Sequence, residues 1–244
     1  MMMKILVIGD SCTDTFIYGE CDRMCPEAPV PVFHEVNRTM NGGMASNVVK
    51  NLQSLNVDTK LITQNQKIVK ARYCDLKTNH LFLRVDSDKE KVSRIRKKDI
   101  PFLDDYDAIV ISDYNKGFLE EEDIEYICNK TKRPVFLDTK KHIGDYCKKV
   151  SFIKINEYEY ETTKNTLKGY ENKLIVTLGS RGALYRNKIY KIKSVDIMDV
   201  SGAGDTFLAA FVFLYIKSNN IVEAIRFAND SAMSVVQKRG VSVL

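Results

Sequence analysis

The sequence has few cysteines and histidines, and their spacing excludes the common metal and disulfide frameworks. None of its six cysteines forms a C-x-x-C pair, and its three histidines lie far apart, so a zinc site of the usual spacing is absent. Scattered cysteines at this density are typical of free thiols in a reducing compartment. We therefore expect a cytoplasmic protein in which some of the thiols lie in the core.

Long hydrophobic runs are also missing. The apolar stretch Phe207–Ile216 is short, whereas a helix needs about 20 apolar residues to cross a bilayer, so it predicts a buried helix. The N-terminal apolar stretch leads directly into Gly9 and Asp10, which is unlike a secretory signal peptide. We expect neither a signal peptide nor a membrane partner.

No excess of one charge is large enough to indicate nucleic-acid binding. The 37 basic and 32 acidic residues give a net charge of +5, which suits anionic small ligands but is weak for a nucleic-acid partner. Basic clusters at residues 94–98 and 130–133 flank predicted helices and are typical of solvated faces. We expect no nucleic-acid partner.

What remains is the pattern of a globular α/β protein. Of the 244 residues, 44% are hydrophobic, enough to bury a substantial core in a single domain over residues 1–244. Buried strands are predicted at residues 4–10, 57–63, 108–114, 134–140, 150–156 and 173–179, with helices at 45–55 and 120–131 among the intervening segments. Strands alternating with helices predict a doubly wound, mostly parallel sheet that binds ligands at the carboxyl ends of its strands.

Three segments depart from that rhythm and predict a small β lid. Residues 13–20 and 30–37 alternate between apolar and polar side chains, and residues 71–86 have the pattern of a hairpin that turns at Lys77–Asn79. We expect lid strands near residues 14–38 and 71–86, beside the main sheet.

Polar side chains or glycines follow most of the predicted strands. One such residue is typically a helix cap or a loop residue, but a polar rim at five strand ends indicates a ligand with many hydroxyls or phosphates. The residues of this rim are Asp10, Asp14, Asp113, Asp138, Lys140, Asn156, Glu159, Thr177 and Gly179.

The stretch Asp199–Phe207, DVSGAGDTF, sets glycines and a carboxylate at the start of the predicted buried helix. Small residues there allow the unpaired N–H groups of a helix start to approach an anion. The Walker A pattern is absent, and Phe207 occupies the last position of G-x-G-x-x-G, so a dinucleotide site is not favoured. The stretch indicates an anionic ligand held next to Asp205.

These stretches together resemble the motifs of the ribokinase-like (pfkB-type) carbohydrate kinases. DVSGAGD at residues 199–205 resembles the family's D-[TS]-x-G-A-G-D, and residues 41–47 resemble G-G-x-x-x-N. Residues 156–159 resemble N-x-x-E, and residues 177–182 resemble T-x-G-x-x-G. Residues 9–33, 83–86 and 112–117 are similar to the bacterial branch that phosphorylates D-glycero-D-manno-heptose 7-phosphate at the 1-position.

The resemblance implies ATP and Mg²⁺ as cofactors and assigns the transfer chemistry to one loop. Asp205 is implied as the base, with the N–H groups of Gly202, Ala203 and Gly204 as an anion hole. The remaining implied roles are Thr177, Gly179 and Gly182 along the nucleotide, Asn156 and Glu159 holding Mg²⁺ through water, and Asp14, Gly42, Gly43 and Asn47 on sugar hydroxyls. A K⁺ site at Asp199 is also implied, with capping of a loop as the alternative.

A phosphorylated sugar additionally requires cations around its phosphate. Arg72, Arg84, Lys116 and Lys140 are candidates, each with a surface salt bridge as its alternative. The resemblance further implies a homodimer formed through the lid strands.

The chain departs from the family pattern at one point. Family members usually carry a further helix and strand where residues 64–67 join the 57–63 strand to the lid hairpin. The heptose branch often carries a fused adenylyltransferase domain, and we expect this chain to supply the kinase part.

The leading hypothesis is an ATP-dependent sugar or sugar-phosphate kinase. One alternative is a non-catalytic relative that binds a sugar or a nucleotide. Another is a nucleoside kinase, which the stretch PEAPVPV at residues 26–32 disfavours.

Overall fold

The computed structural model describes residues 2–87, 92–164 and 167–244. In these residues the strands are β1 (Lys4–Gly9), β2 (Ser11–Met24), β3 (Pro31–Met44), β4 (Asp58–Ile62), β5 (Val69–Asp75), β6 (Leu81–Ser87), β7 (Ala108–Asp113), β8 (Val135–Thr139), β9 (Phe152–Asn156), β10 (Leu174–Thr177), β11 (Ala183–Tyr185) and β12 (Lys188–Tyr190). The α-helices are α1 (Ala45–Ser54), α2 (Glu121–Asn129), α3 (Glu157–Thr163), α4 (Ala203–Ser218) and α5 (Ile221–Val236).

The main sheet has eight strands in the order β12-β11-β10-β9-β8-β7-β1-β4. The strands from β10 to β4 pair in parallel, and β11 and β12 add an antiparallel edge. All six strands predicted for the main sheet are confirmed, with ends that differ by one or two residues. Burial is confirmed for β1, β7, β8, β9 and β10, but not for β4, whose residues are exposed or half-buried because it lies at the edge of the sheet. The edge pair was not predicted, because two strands of three residues each carry too little alternation to be recognised.

Two apolar cores lie on opposite faces of this sheet. Ile5 and Val7 of β1 pack with α1, α4 and α5, whereas Leu6 and Ile8 pack on the other face with α2. Successive side chains of a strand point to opposite faces, so a strand buried on both faces needs the continuous apolar run that the sequence shows. The doubly wound arrangement and the buried helix at Phe207–Ile216, now part of α4, are confirmed.

The second sheet is the predicted small β lid, here called the lid sheet. Its order is β3-β2-β5-β6, with β2 antiparallel to β3 and parallel to β5, and β5 antiparallel to β6. The β5–β6 turn lies where it was predicted, and Asp75 Oδ1 accepts hydrogen bonds from the N–H groups of Lys77 at 3.1 Å and Thr78 at 2.7 Å. Residues Asn41–Gly43, directly before α1, form the end of β3, because their backbone pairs with Cys12–Asp14 of β2.

A direct connection joins the two sheets where the family pattern has further elements. Residues 63–68 run from the end of β4 to the start of β5. The side chain of Gln64 clamps this connection to β2, since its Oε1 accepts from the Ser11 N–H at 3.0 Å and its Nε2 donates to the Ser11 carbonyl at 2.6 Å. The short connection therefore holds the lid sheet at the carboxyl end of β1.

Candidate active site

Asp205 lies in the first turn of α4, where the helix begins over the carboxyl ends of the main-sheet strands. Gly202 precedes the helix with φ 80°, a left-handed conformation that glycine adopts without steric cost. A Cβ on Gly202 would lie 2.6 Å from Nδ2 of Asn47, so only glycine lets the loop approach α1 this closely. The result is a carboxylate that is 4% exposed at a helix N-terminus.

Two side-chain donors hold the Asp205 carboxylate. Asn47 Nδ2 donates to Oδ2 at 3.1 Å, and the Tyr114 hydroxyl donates to Oδ1 at 2.8 Å. Burial raises the pKa of Asp205 to about 6, and the two hydrogen bonds oppose that rise. A carboxylate with this pKa is mostly ionised at pH 7 and still has appreciable proton affinity, which is what a general base requires.

The backbone of the 202–204 loop faces a buried lysine that the sequence analysis did not assign. Lys154 lies in β9 and is 5% exposed, and its Nζ donates to Asp138 Oδ2 at 2.8 Å. Its Nζ lies 2.9 Å from the position that a Cβ on Gly204 would occupy. The signal for Lys154 was its place inside the apolar run FIKIN, where an unpaired ammonium would be costly.

The predicted anion hole is partly engaged within its own loop. The Ala203 N–H donates to the Val200 carbonyl at 3.3 Å, a long contact for this type of bond. The loop therefore brings Gly202, Ala203 and Gly204 beside Asp205 and Lys154, as the motif requires. An incoming phosphoryl group would compete with Val200 for the Ala203 N–H.

A cleft of about 820 Å³, here called the nucleotide cleft, opens beside this loop. It brings together the three residues expected along a nucleotide, Thr177, Gly179 and Gly182, and it is also lined by Asn156, which was expected to hold Mg²⁺ through water. Apolar side chains complete the lining, from the segment before α4 and from α5: Ile192, Val195, Ile197, Val200, Ala232, Met233 and Val236. A cleft with apolar walls and a cationic, N–H-rich end suits a planar base attached to phosphates.

Glu159, expected to hold Mg²⁺ through water with Asn156, has partners of its own. The two residues form the capping box of α3, in which the Glu159 N–H donates to Asn156 Oδ1 and the Asn156 N–H donates to Glu159 Oε2, each at 2.8 Å. Lys140 forms an ion pair with the same carboxylate. In the parts of the chain that the structure describes, no three His, Cys, Asp or Glu side chains are grouped to bind a metal directly.

This donor set fits Mg²⁺ only through water. Mg²⁺ in phosphoryl-transfer sites keeps several waters and takes one or two carboxylates together with substrate phosphates. Glu159 supplies one carboxylate near the cleft, and Oδ1 of Asp138 is buried without a hydrogen-bond partner. Lys140 Nζ lies 4.0 Å from this oxygen and also pairs with Glu159, so a hydrated cation would share the two carboxylates with that ammonium group.

The side of Asp205 away from the nucleotide cleft is formed by the lid sheet and the start of α1, and it is here called the acceptor side because the resemblance implies sugar contacts there. Asp14 of β2 is 6% exposed and forms an ion pair with Arg72 of β5, with Oδ1 and Nη1 2.5 Å apart. A Cβ on Gly43 would lie 1.9 Å from Asp14 Oδ2, so the glycine makes room for the carboxylate. The structure thus brings Asp14, Gly42, Gly43 and Asn47 to one end of the β2–β3 pair, next to Asp205.

The four candidate phosphate ligands are not equally placed. Arg72 and Arg84 lie directly opposite each other on β5 and β6, and Arg84 binds Asp86 through two contacts of 2.7 and 2.6 Å. Lys116 lies in the loop after β7, where its N–H donates to Asp10 Oδ2 at 3.3 Å. Lys140 lines the nucleotide cleft and pairs with Glu159, so it lies on the nucleotide side.

Lys70 is a further cation of the acceptor side that the sequence analysis missed. By register it lies between Asp14 and Asp86 across the lid sheet. Its Nζ is 5.2 Å from the centre of the Tyr114 ring. Its alternation with Arg72 on β5 was the available signal, because residues i and i+2 of a strand share a face.

Two other expected polar residues act within the fold. Asp113 is fully buried and pairs with Lys141 at 2.8 Å. Asp199 accepts from the Ser201 N–H at 2.8 Å and from the Gly240 N–H at 3.2 Å. Asp199 therefore caps backbone N–H groups, as expected for the alternative in which it stabilises a loop. Its carboxylate links the 199–205 loop to the segment after α5.

Comparisons with known proteins bear on this geometry. The model of the pfkB family carbohydrate kinases matches residues 81–243. Bifunctional protein HldE of a Nitratiruptor species is 31% identical over 290 aligned positions, which cover 98% of this chain and 63% of that protein. HldE of Helicobacter acinonychis (strain Sheeba) is 31% identical over 297 positions, with 98% and 64% covered.

The chain therefore spans less than two thirds of the length of these curated relatives. The aligned stretches are also longer than the 244 residues of this chain, so the relatives carry residues inside the aligned region that have no counterpart here. This agrees with the shortened connection between β4 and β5.

Solved structures share the fold at low sequence identity. Arabidopsis thaliana ribokinase, complexed with ribose and ATP, matches with a TM-score of 0.70 and 14% identity, covering 98% of this chain and 94% of that one. Escherichia coli phosphofructokinase-2, in complex with potassium, matches with a TM-score of 0.73 and 12% identity, covering 100% and 95%.

Among residues 2–87, 92–164 and 167–244, no helix combines the length and apolar character needed to cross a bilayer.

The ribokinase-like fold, the four motifs gathered around Asp205 and the family match over residues 81–243 agree with one another. The chain belongs to the pfkB family of carbohydrate kinases.

Proposed function

We propose that this chain transfers the γ-phosphoryl group of ATP to a hydroxyl of a sugar or sugar phosphate. The observation that carries the proposal is the place of Asp205, which is buried at the N-terminus of α4. It lies between the nucleotide cleft and the inner face of the lid sheet, which is the face that carries Asp14 and Arg72. A carboxylate there, with a pKa of about 6, can reach an acceptor hydroxyl on one side while N–H groups face phosphates on the other.

The proposed reaction is a single in-line displacement. The acceptor hydroxyl gives its proton to Asp205 as its oxygen attacks the γ-phosphorus, the bond from that phosphorus to the β,γ-bridging oxygen breaks, and ADP leaves. The N–H groups of residues 202–204 and the ammonium of Lys154 stabilise the charge on the moving phosphoryl group. Mg²⁺, held through water by Asn156 and Glu159, would offset the charge of the ATP phosphates.

The acceptor in this proposal is a phosphorylated sugar, D-glycero-D-manno-heptose 7-phosphate, and the product is its 1,7-bisphosphate. The inner face of the lid sheet carries three cations, Lys70, Arg72 and Arg84, against the two carboxylates Asp14 and Asp86. The face therefore has one positive charge in excess, which supports binding of a negatively charged ligand. The motifs at residues 9–33, 83–86 and 112–117 support the heptose branch.

The first experiment is a screen of free and phosphorylated sugars for ATP-dependent phosphorylation, with Mg²⁺ present and with K⁺ added or omitted. The second compares kcat/KM for heptose 7-phosphate and for the same sugar without phosphate, in the wild type and in Arg84→Ala. Loss of one phosphate contact should cost about 1.5–3 kcal/mol in kcat/KM for the phosphorylated acceptor, the range for a hydrogen bond to a charged group, and spare the KM for ATP.

Arg96→Ala is the matched control for this test. Arg96 binds Asp99 through two contacts of 2.6 and 3.1 Å, the same fork that joins Arg84 to Asp86, but it lies outside the lid sheet. Its loss should leave both acceptors unchanged. An equal kcat/KM for the two sugars in the wild type would contradict the proposal that the acceptor is phosphorylated. The broader proposal of a sugar kinase would remain.

The alternative is a relative that binds a sugar or a nucleotide without turnover. The shortened region between β4 and β5 favours it, because residues that the aligned relatives carry are missing here. Titration calorimetry with ATP separates the two functions. Binding of ATP without phosphorylation of any sugar in the screen would support the alternative.

A homodimer through the lid strands, in the cytoplasm, completes the proposal. Met40, Val85 and Leu83 are 66%, 46% and 56% exposed, and by register they lie on the outer face of the lid sheet, opposite to Asp14 and Arg72. Exposed apolar side chains on a sheet face favour association. Light scattering at micromolar concentration should give twice the chain mass of 27.9 kDa, and a fully active monomer would contradict the dimer.

A further inference from the structure

Tyr114 contacts the base directly, although no motif argument assigned it a role. It follows β7 at the carboxyl edge of the main sheet, and its hydroxyl donates to Oδ1 of Asp205 at 2.8 Å. Its own N–H donates at 2.8 Å to Oδ2 of Asp10, a fully buried carboxylate. The backbone of Tyr114 is therefore anchored, and its ring is aimed across the sheet edge at α4.

The second oxygen of Asp205 is held just as firmly. Asn47 Nδ2 donates to Oδ2 at 3.1 Å, and Asn51 Nδ2 donates to Oδ1 of Asn47 at 3.1 Å. The bond from Asn51 fixes which end of the Asn47 amide faces Asp205. With one donor on each oxygen, the carboxylate plane has a single orientation, and each oxygen keeps a lone pair for an acceptor hydroxyl.

The Tyr114 ring lies where the lid sheet meets the main sheet. The ammonium groups of Lys70, from the lid, and Lys140, from the end of β8, are each 5.2 Å from its centre. A cation near an aromatic ring at this distance is attracted to it. These contacts hold the ring in place independently of its hydroxyl, so a phenylalanine would keep them.

The charged groups that face Asp205 come from several elements. Asp138 of β8 raises its pKa and Lys154 of β9 lowers it, while the bonds from Asn47 and Tyr114 also lower it. Lys140 and the thiol of Cys12, whose pKa burial raises to about 12, lie close enough to respond to its charge. Of these groups, Tyr114 is the hydroxyl donor on Oδ1.

We propose that Tyr114 is a positioning residue for the base: its hydroxyl orients Oδ1 of Asp205 toward the acceptor and keeps the carboxylate ionised near neutral pH. This inference rests on the proposed kinase function. A hydrogen bond from a neutral donor favours the charged form of a carboxylate. Removing the hydroxyl therefore both loosens the carboxylate and makes it a stronger proton acceptor in the resting site.

The kinetic test compares the pH dependence of kcat/KM for the acceptor in the wild type and in Tyr114→Phe, because this constant reports the base before the acceptor binds. The acidic limb should move up by roughly one pH unit, from a midpoint near 6, since one hydrogen bond to a charged group is worth about one pKa unit. Loss of ionisation alone should lower kcat/KM for the acceptor at pH 6 about fivefold, and the KM for ATP should stay within about twofold.

Tyr185→Phe is the matched control. The Tyr185 hydroxyl donates to the Asn172 carbonyl at 2.9 Å. Its side chain is buried on β11, four strands away from β7 in the main sheet. The control loses one hydroxyl and one hydrogen bond but should keep the wild-type limb. An acidic limb in Tyr114→Phe that coincides with the wild type, whatever the size of kcat/KM, overturns the proposal.

A readout without turnover separates this inference from the kinase function. In protein labelled with 3-fluorotyrosine, the ¹⁹F resonance that disappears in Tyr114→Phe is assigned to Tyr114. It should titrate near pH 6 in the wild type and lose that step in Asp205→Asn. If no sugar is phosphorylated but the resonance titrates in this way, the kinase function fails and the coupling of Tyr114 to Asp205 stands. A resonance without a step between about pH 5 and 7.5 overturns the coupling, whether or not the protein is active.

Discussion

The two sides of Asp205 differ in what their polar groups do before any ligand arrives. The nucleotide cleft is open, about 820 Å³ in volume, and is lined by loop backbone and apolar side chains such as Val200 and Met233. On the acceptor side the charges are already paired with one another, Asp14 with Arg72 and Arg84 with Asp86. The cleft is shaped to receive a ligand, whereas the lid face must exchange internal contacts for ligand contacts.

This difference has an energetic consequence. The apolar walls of the nucleotide cleft lose little when a ligand enters, because water leaves them. Exchange of contacts there is confined to the phosphate end, at the Ala203 N–H and the ion pairs of Lys140 and Lys154. An acceptor that binds Asp14 or Arg72 must replace an ion pair whose side chains are 9% and 15% exposed, and a buried charge left without a partner is costly. Selectivity should therefore reside on the lid side, where only a ligand with matching charges compensates for the exchange.

The substitution with the largest expected effect lies at the boundary of the two sides. Asp205→Asn should lower kcat on the order of 10²–10⁴-fold, the range for loss of a positioned general base, because the amide keeps the shape but cannot accept the proton. Affinity for ATP should change little, since Asp205 does not line the nucleotide cleft. Steady-state kinetics and ATP titration measure the two effects, and a near-normal kcat would contradict the role of base.

The same substitution should stabilise the protein at neutral pH. The pKa of Asp205 is raised from 3.8 to about 6 in the folded state, so between these values the folded protein holds a proton that the unfolded chain has released. The contribution of this group to the free energy of unfolding falls as pH rises through that window, by about 3 kcal/mol in total. Urea unfolding of Asp205→Asn should exceed the wild type in stability at pH 7.5 and match it near pH 4. A wild type that is more stable at both pH values would show that the buried charge is compensated.

Gly43→Ala should affect the acceptor side alone. The new Cβ would lie 1.9 Å from Asp14 Oδ2 and 2.7 Å from Cys12 Sγ, so the carboxylate has to move. Overpacking of this kind costs about 1–3 kcal/mol, and we expect a comparable loss in kcat/KM for the acceptor with the KM for ATP unchanged. In the control, Gly144→Ala, the nearest atom is 3.6 Å away. A rise in the KM for ATP that equals the acceptor effect would show that the two sides are not separable.

The smallest effect is expected on the nucleotide side. Met233→Ala removes an apolar contact from the wall of the cleft, worth about 1 kcal/mol, or about a fivefold rise in the KM for ATP. The KM for the acceptor should stay constant. Met24→Ala, at a position that is 59% exposed on the lid, should change neither constant. If Met233→Ala raised the KM for the acceptor as much as the KM for ATP, the proposal that the two sides of Asp205 bind separate ligands would be contradicted.

The sequence predicted the centre of the main sheet well because strands such as β1, β7 and β8 are buried on both faces. Such strands must be continuous apolar runs, and a run such as KILVIG is recognisable by itself. The lid strands alternate, which is an equally local signal. The β11–β12 edge and the β-conformation of Asn41–Gly43 escaped prediction, since both depend on pairing with a partner strand.

For the site, most residues predicted by the sequence lie within motifs. Asp205 and the glycines around it share one loop, so their proximity follows from the chain itself. Lys154, Lys70 and Tyr114 belong to separate strands or strand ends, and their local patterns do not show that they face Asp205. The assignments of Arg84 and Lys140 were likewise made without knowledge of their partners, Asp86 and Glu159.

By itself, the sequence determined the six parallel strands of the main sheet, the glycine loop before α4 and the position of Asp205 in it, because each depends on residues adjacent in the chain. Only the tertiary structure decided which charges meet: Tyr114 and Asn47 on Asp205, Asp14 with Arg72, and Lys154 with Asp138. Hydrogen bonds and ion pairs act over a few ångströms. Their partners are therefore set by how strands and helices distant in sequence are packed together, which the order of residues along the chain does not state.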